Sequence, residues 1–465
     1  MFKYDLIVIG MGPAGMTAVG MGTKMGLKVL GIEKKAIGGE CLNVGCIPSK
    51  AILKAAQMNQ DLEKLKNFGI KLNCEAQIEN PLGIVREKVD SQTGEILREK
   101  FSDADLLLEK GPASFVDSQT VEVDGEKYQG DLIFIATGTE PMIPPIDGLS
   151  EVPYLTNKNV FDLEEIPKGL TIIGGGAIGV EIAQAFSRLG SSVTIVQMDE
   201  QLAPSEDSEA SALLEKTFEK EGIAYYNGEK IESVKKKTDG IYTETTAGTF
   251  VSEQILVATG RKPSLDSLNL EAAGIDYDKK HIKSDAFNRT NISNIYALGD
   301  INGKWPFTHS AMHQAMLSLM QALGKNEPKY LEGDNYIVPT VIFTDPEIAQ
   351  VGMKEKEAKE KEFKYFVVKE NYKNYARAVI DGAPEGFLKI ITDDSGKIYG
   401  ATIVGERASE LIAEWTIAMQ HNLKMMDILM TQHAFPTFSV LNKNAAEKWM
   451  MKMVTEGKLE NILGN

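Results

Sequence analysis

Two short runs of almost unbroken apolar residues, Tyr4–Ile9 and Leu170–Ile173, each lead straight into a glycine-rich turn. Runs of this length, apolar at successive positions, predict strands buried on both faces of a parallel sheet. The first turn is Gly10-Met11-Gly12-Pro13-Ala14-Gly15 and the second is Gly174-Gly175-Gly176-Ala177-Ile178-Gly179. A helix follows each turn, to about Lys24 and to about Leu189. Second strands come next, Lys28–Ile32 and Ser192–Val196. In both halves a later apolar strand runs into Ala-Thr-Gly, at 131–138 and at 254–260. The device is duplicated, which predicts an α/β chain with two Rossmann-like domains.

The spacing also assigns chemistry to the turns. Glycines at 10, 12, 15 and at 174, 176, 179 let backbone approach a pyrophosphate at a helix N-terminus. Gly10, Gly12, Gly15 and Gly174, Gly176, Gly179 are therefore candidate dinucleotide-binding residues. In the first copy the second strand ends on Glu33, an acceptor for a ribose hydroxyl. In the second copy that position is Gln197, so the usual clamp on a 2′-hydroxyl is missing. No Arg or Lys stands close enough to take a 2′-phosphate, and Asp199 and Glu200 would repel one, which favours NADH over NADPH.

Between and beyond the two copies the pattern changes. Residues 73–110 are polar, with helical spacing through Ile84, Val85 and Val89 and again through Leu106, Leu107 and Leu108; they read as an insertion closing one face of the first domain. Pro141, Pro144 and Pro145 mark a linker. Asn294–Asp300 reads as a strand ending in Gly-Asp, suited to set a carboxylate against a cofactor hydroxyl. From Tyr336 strands alternate, at 338–343 and 386–392, before apolar helices at 408–421 and 438–453: an α+β module.

Gly38-Gly39-Glu40-Cys41-Leu42-Asn43-Val44-Gly45-Cys46-Ile47-Pro48-Ser49-Lys50 puts two cysteines five positions apart at the start of a helix expected to reach about Lys66. In an undistorted helix that spacing is about 140° of rotation, so a bridge needs an irregular first turn. A strained pair at a helix N-terminus should be easily reduced and should favour a thiolate. A zinc site would need four ligands, yet the only other cysteine is Cys74 and no His pair lies nearby. The pair therefore reads as a redox dithiol, no metal is expected, and Cys74 is taken as a spectator.

Composition narrows the setting. The formal net charge of −16 argues against nucleic acid or anionic membrane as a partner. No apolar run approaches the ~20 residues that span a bilayer. The chain opens directly into a strand without a signal-peptide pattern, and three cysteines make no structural disulfide framework, so a reducing cytoplasm is expected.

Together these motifs resemble the class I flavin-dependent pyridine nucleotide-disulfide oxidoreductases, most closely their dihydrolipoamide dehydrogenase branch. The match covers nearly the whole chain and is most specific at Gly38–Lys50, Ala297–Asp300, Val338–Gly352 and Gly400–Glu414. It implies FAD on the first fingerprint and NAD(H) on the second (NADP(H) not excluded). It also implies a homodimer in which the C-terminal module completes the partner's site. Domains are expected at 1–148 (FAD, first part), 149–268 (NAD(P)), 269–334 (central, FAD second part) and 335–465 (dimerisation). By the same resemblance Cys46 is the thiolate facing the flavin and Cys41 the thiol exchanging with a disulfide substrate. Lys50 sits near the flavin, paired with Glu181. Gly111, Thr137, Gly138, Asp300 and His309 line FAD, and Gly260 and Arg261 line the nicotinamide nucleotide.

One departure stands out. The family's C-terminal His-x-His-Pro-Thr run, with a following Glu that orients the second His, is here His433-Ala434-Phe435-Pro436-Thr437-Phe438-Ser439-Val440. Phe435 stands at the base position and Val440 at the orienting position. Neither holds a proton, so the expected activity is an FAD-dependent NAD(P)H oxidoreductase acting on a disulfide or other electrophile without an enzymic acid. Two alternatives are a proton-excluding ketone reductase/carboxylase and a flavoprotein subunit whose catalysis has decayed.

Overall fold

The computed structural model describes residues 2–65, 69, 70, 78–324 and 336–458. Cys74 and the expected helix end at Lys66 lie outside them. The first sheet is built around β1 (Phe2–Ile9), which is followed by α1 (Pro13–Lys24) and β2 (Val29–Glu33). β1 lies parallel to β2 on one side and to the long strand Glu126–Ile135 on the other, with Leu6, Ile7 and Val8 fully buried. The outer edge of Glu126–Ile135 is shared. Its first half pairs antiparallel with Thr120–Val123, and its second half pairs parallel with Ile295–Ala297. Residues 295–297 thus return to the first sheet after the second domain has been completed, and bring Asp300 with them.

Leu106–Leu108 do not continue a helix. Asp105–Leu108 form β3, parallel to β2 and pairing Leu30 with Asp105 through Glu33 with Leu108. Three consecutive leucines carry no period, and the open edge of β2 decides the outcome. The helix around Val85, Pro81–Asp90, buries Leu82 and Val85 while Ile84 faces out. Its buried side joins Ile52 and Ala56 of the dithiol helix and Val180 and Ile182 of Ala177–Arg188 in one core, rather than closing a face of the first sheet.

The second sheet is fully parallel, in the order Ala224–Tyr226, Ser192–Val196, Gly169–Ile173, Gln254–Val257. The proline-marked linker contains a strand: Thr139–Pro141 pairs antiparallel with Arg261–Pro263, so the chain leaves and re-enters the first domain side by side. The third module is a five-stranded antiparallel sheet covered by Ala408–Gln420 and Val440–Thr455. Trp415, Trp449 and Tyr372 fill its core, and Trp415 Nε1 donates to Asn442 Oδ1 at 2.8 Å, so the indole is buried without an orphaned donor. Among the described residues no helix is long and apolar enough to cross a membrane.

Candidate active site

The dithiol segment does not form one helix. α2 (Gly39–Val44) ends at Gly45, whose φ of −127° and ψ of −108° break the ladder, and α3 (Cys46–Lys64) starts on Cys46 itself. A Cβ at Gly45 would stand 2.8 Å from the Glu40 carbonyl oxygen, so the tight break needs glycine. The break cancels the rotation that would have pointed the thiols apart. Both reach one hydroxyl: Thr308 Oγ1 donates to Cys41 Sγ at 3.1 Å and lies 3.4 Å from Cys46 Sγ. Both cysteines are free thiols and only partly exposed.

Charge is divided unequally between them. The Cys41 thiol beside it draws the Cys46 thiol down, to about 6, against its burial and with help from Thr308 and the Lys50 charge. The Cys41 thiol is pushed up by Cys46 and by burial. The negative charge therefore rests on Cys46 and the proton on Cys41. Lys50 Nζ lies 2.8 Å from Glu181 Oε2 and 4.4 Å from the centroid of the Phe343 ring. Glu181, 5% exposed, also accepts from the Phe343 amide at 2.9 Å. Its charge is thus compensated twice, and the lysine is held over the start of α3.

The two glycine turns superimpose in their chemistry. Glu33 Oε2 accepts from Met11 N at 2.9 Å; 22 residues apart again, Gln197 Oε1 accepts from Gly175 N at 3.0 Å. Each side chain thus braces the turn of its own copy. A Cβ on Gly10 would lie 2.5 Å from Ala136 O, and one on Gly174 the same distance from Ala258 O. The helices begin at Gly12 and Gly176 without a side-chain cap, leaving N–H groups free for phosphate. Glu33 keeps acceptor capacity for a ribose. Gln197 offers one neutral oxygen, already accepting from Gly175 N, and both its amide hydrogens are spent on Gln201 O at 2.6 Å and Asn227 Oδ1 at 2.8 Å, which brace it within its own domain. These turns fit FAD on the first copy and a nicotinamide nucleotide on the second.

The remaining sequence-derived residues fall as follows. Asp300 accepts from Thr139 Oγ1 at 3.0 Å; burial pushes its carboxyl up, against Thr139 and the Arg261 charge. Thr137 donates to Ser264 O at 3.2 Å, and Gly138 follows it at the turn. A Cβ at Gly111 or Gly138 would meet open space. His309 Nε2 lies 2.9 Å from the Pro339 carbonyl, and burial pushes the imidazole down. Gly260 turns the chain into Arg261, whose guanidinium is engaged elsewhere than at the second fingerprint. It donates to Thr139 Oγ1 (2.7 Å) and Thr139 O (2.8 Å) and pairs with Glu40 beside Cys41. Phe435 projects from the third module, 76% exposed. Val440 opens the last helix and packs on that module's core.

Thr308, Glu40 and Phe343 were not singled out by the sequence. Thr308 is 262 residues from Cys46, and no local pattern links them.

Residues 4–315 match the pyridine nucleotide-disulphide oxidoreductase family, and residues 338–446 match the dimerisation domain of the same family. A dihydrolipoyl dehydrogenase of Thermus scotoductus is 37% identical over 96% of this chain and 97% of its own length. A mercuric reductase of Lysinibacillus sphaericus is 35% identical over 96% of this chain and 82% of its own length. The structure of an HOCl-induced flavoprotein disulfide reductase of Escherichia coli superimposes with a TM-score of 0.86 at 26% identity, covering 96% of this chain and 99% of that one. None of this favours the carboxylase or the decayed-subunit reading. The chain belongs to the pyridine nucleotide-disulphide oxidoreductases, and is an oxidoreductase that depends on FAD and NAD(P)H.

Proposed function

We propose that this enzyme uses NADH to reduce the Cys41–Cys46 disulfide, and that the dithiol then reduces an electrophile that takes no proton from an acid–base side chain. FAD would supply two-electron carriage between the nicotinamide nucleotide and sulfur. Glu33, Asp300 and the Gly10–Gly15 turn would hold it, and Gly174–Gly179 would hold the nucleotide. Lys50, fixed by Glu181, stabilises negative charge at Cys46, and Cys41 exchanges with substrate. The observation that carries the reading is the thiolate-favouring pair beside Lys50, combined with Phe435 where an imidazole would stand. A positioned acid or base is worth roughly 10²–10⁴ in rate, so a substrate must do without it.

A disulfide whose released thiol is acidic meets that condition. The working unit is a homodimer, supported by the dimerisation domain at 338–446 and by exposed Phe435, Met430 and Ile417 on that module. A cytoplasmic setting agrees with a reducible dithiol. A second reading has a thiophilic metal ion as the electrophile. It is favoured by the likeness to mercuric reductases and to a reductase solved as a Cu(II) complex, and disfavoured by the absence of a second cysteine pair from the sequence. The test compares NADH-dependent reduction of an aromatic disulfide, lipoamide and Cu(II). The aromatic disulfide is expected to give the highest kcat/KM and Cys41→Ser to abolish it; activity surviving in Cys41→Ser would overturn the reading.

A further inference from the structure

With Phe435 in the base position, the proton on Cys41 has no partner imidazole to receive it, yet Cys41 must become a thiolate to attack. Three imidazoles are engaged elsewhere. His309 faces Pro339 O, His313 Nδ1 lies 3.2 Å from the Tyr336 hydroxyl, and His433 faces Glu414. Lys50 Nζ donates to Glu181 and, at 3.3 Å, to Ser49 Oγ. The Thr308 hydroxyl is different, because it lies within hydrogen-bond reach of both sulfurs at once. Thr308 opens the helix Thr308–Ala322, whose N-terminus has no side-chain cap, so the helix dipole also favours anionic sulfur there.

We propose that Thr308 is a catalytic residue: its hydroxyl relays a proton between the two thiols and so makes Cys41 a nucleophile, using the Cys46 thiolate as the base. This rests on the dithiol reading above. In the relay the Thr308 hydroxyl hydrogen turns from Cys41 to Cys46, and Cys41 gives its S–H proton to Oγ1 while that oxygen gives its own to the Cys46 sulfur. One S–H and one O–H break and one of each forms, no electron changes carrier, and the negative charge moves from Cys46 to Cys41. Cys41 then bonds to one substrate sulfur and the substrate S–S bond breaks, releasing a thiolate. Attack of the Cys46 sulfur on Cys41 closes the enzyme disulfide, and the second substrate sulfur leaves with the proton that Cys46 was carrying. The enzyme dithiol is oxidised and the substrate disulfide reduced by the same electron pair. A threonine hydroxyl cannot store the proton, which explains why both sulfurs must lie within its reach.

The relay is tested on the FAD-loaded enzyme, reduced anaerobically with NADH and treated with iodoacetamide as a function of pH; peptide mass spectrometry resolves alkylation of Cys41 from that of Cys46. Thr308→Val keeps the shape and removes the hydroxyl, Thr308→Ser restores it, and Thr308→Ala serves as a second hydroxyl-less variant should the valine disturb the helix start. Loss of one charge-assisted hydrogen bond corresponds to about one pKa unit, so Val and Ala should slow Cys41 alkylation about tenfold near neutrality and move its midpoint upward. Ser should recover both, and the solvent isotope effect on disulfide reduction should fall in Val and Ala. A wild-type Cys41 rate and midpoint in both hydroxyl-less variants would overturn the relay. That result with Cys41→Ser still inactive would spare the dithiol reading, whereas an active Cys41→Ser would remove the reading itself.

Discussion

His433 Nε2 lies 2.8 Å from Glu414 Oε1, in a side chain only 5% exposed. Its other ring nitrogen is 3.0 Å from the Thr431 carbonyl, and Glu414 also accepts from Asn442 at 2.7 Å. The one imidazole left in the 433–440 run is therefore built into its own module. Replacing it with Ala should cost about 1–3 kcal/mol, the penalty for leaving a charged acceptor short of its partner. Cys41 reactivity should stay at the wild-type level. Denaturant unfolding beside an alkylation assay separates the two.

Restoring the missing pair is the converse experiment. Phe435→His with Val440→Glu should raise lipoamide reduction by at least about tenfold, a modest share of what general acid–base catalysis supplies. Steady-state kcat/KM of wild type and double variant decides it; no change would mean that the pocket around the 435 position no longer accommodates an imidazole.

The Cys46 thiol is held down to about 6, first by the Cys41 thiol beside it and further by Thr308 and Lys50. A depressed value means that the thiolate is present above that pH and lost as pH falls through it. The long-wavelength thiolate absorption of the NADH-reduced, FAD-loaded enzyme should therefore fade on acidification around pH 6. Lys50→Met should shift the midpoint upward, because the charge favouring the thiolate has gone. An absorbance titration reads both.

Gln197 has both its amide donors engaged, and Met198, Asp199 and Glu200 beyond it are exposed. The two carboxylates that follow Gln197 repel a 2′-phosphate, which makes NADPH the poorer donor. We expect kcat/KM for NADH to exceed that for NADPH by about tenfold or more, about 1.4 kcal/mol in differential binding. Asp199→Lys should narrow the gap. Stopped-flow reduction with each nucleotide measures it.

Lys389, 2% exposed, joins Asp207 at 2.9 Å and Glu355 at 3.1 Å, bridging the second domain to the third. Burial pulls its ammonium down, but the surrounding carboxylates outweigh it and leave it raised. Lys389→Met strands those carboxylates and should cost about 3–5 kcal/mol. Thermal unfolding of the variant, which should lose stability in both modules, checks the bridge.

Some of this was legible from local pattern because local physics produces it. A glycine at 10 or 174 is required wherever a strand turns into a helix against a neighbouring carbonyl, so the duplication could be read without knowing the rest of the chain. The spacing of Cys41 and Cys46 declared that a regular helix could not serve, but not how the backbone would yield. Gly45 splits the segment into two helices, a solution that depends on Glu40 O crowding that position. Leu106–Leu108 misled because three apolar residues suit either element, and an open sheet edge chose between them.

The sequence by itself determined two glycine turns after buried strands and one closely spaced cysteine pair, since each is written within a few consecutive residues whose sterics and side-chain chemistry are self-contained, while the place of Phe435 where an imidazole would stand is what the family resemblance implies. Only the tertiary structure decided that Thr308 bridges the sulfurs, that Arg261 is turned to Glu40, and that His433 is tied to Glu414. These partners are brought together by packing of separate modules, and side-chain approach across such distances leaves no period or spacing in the chain.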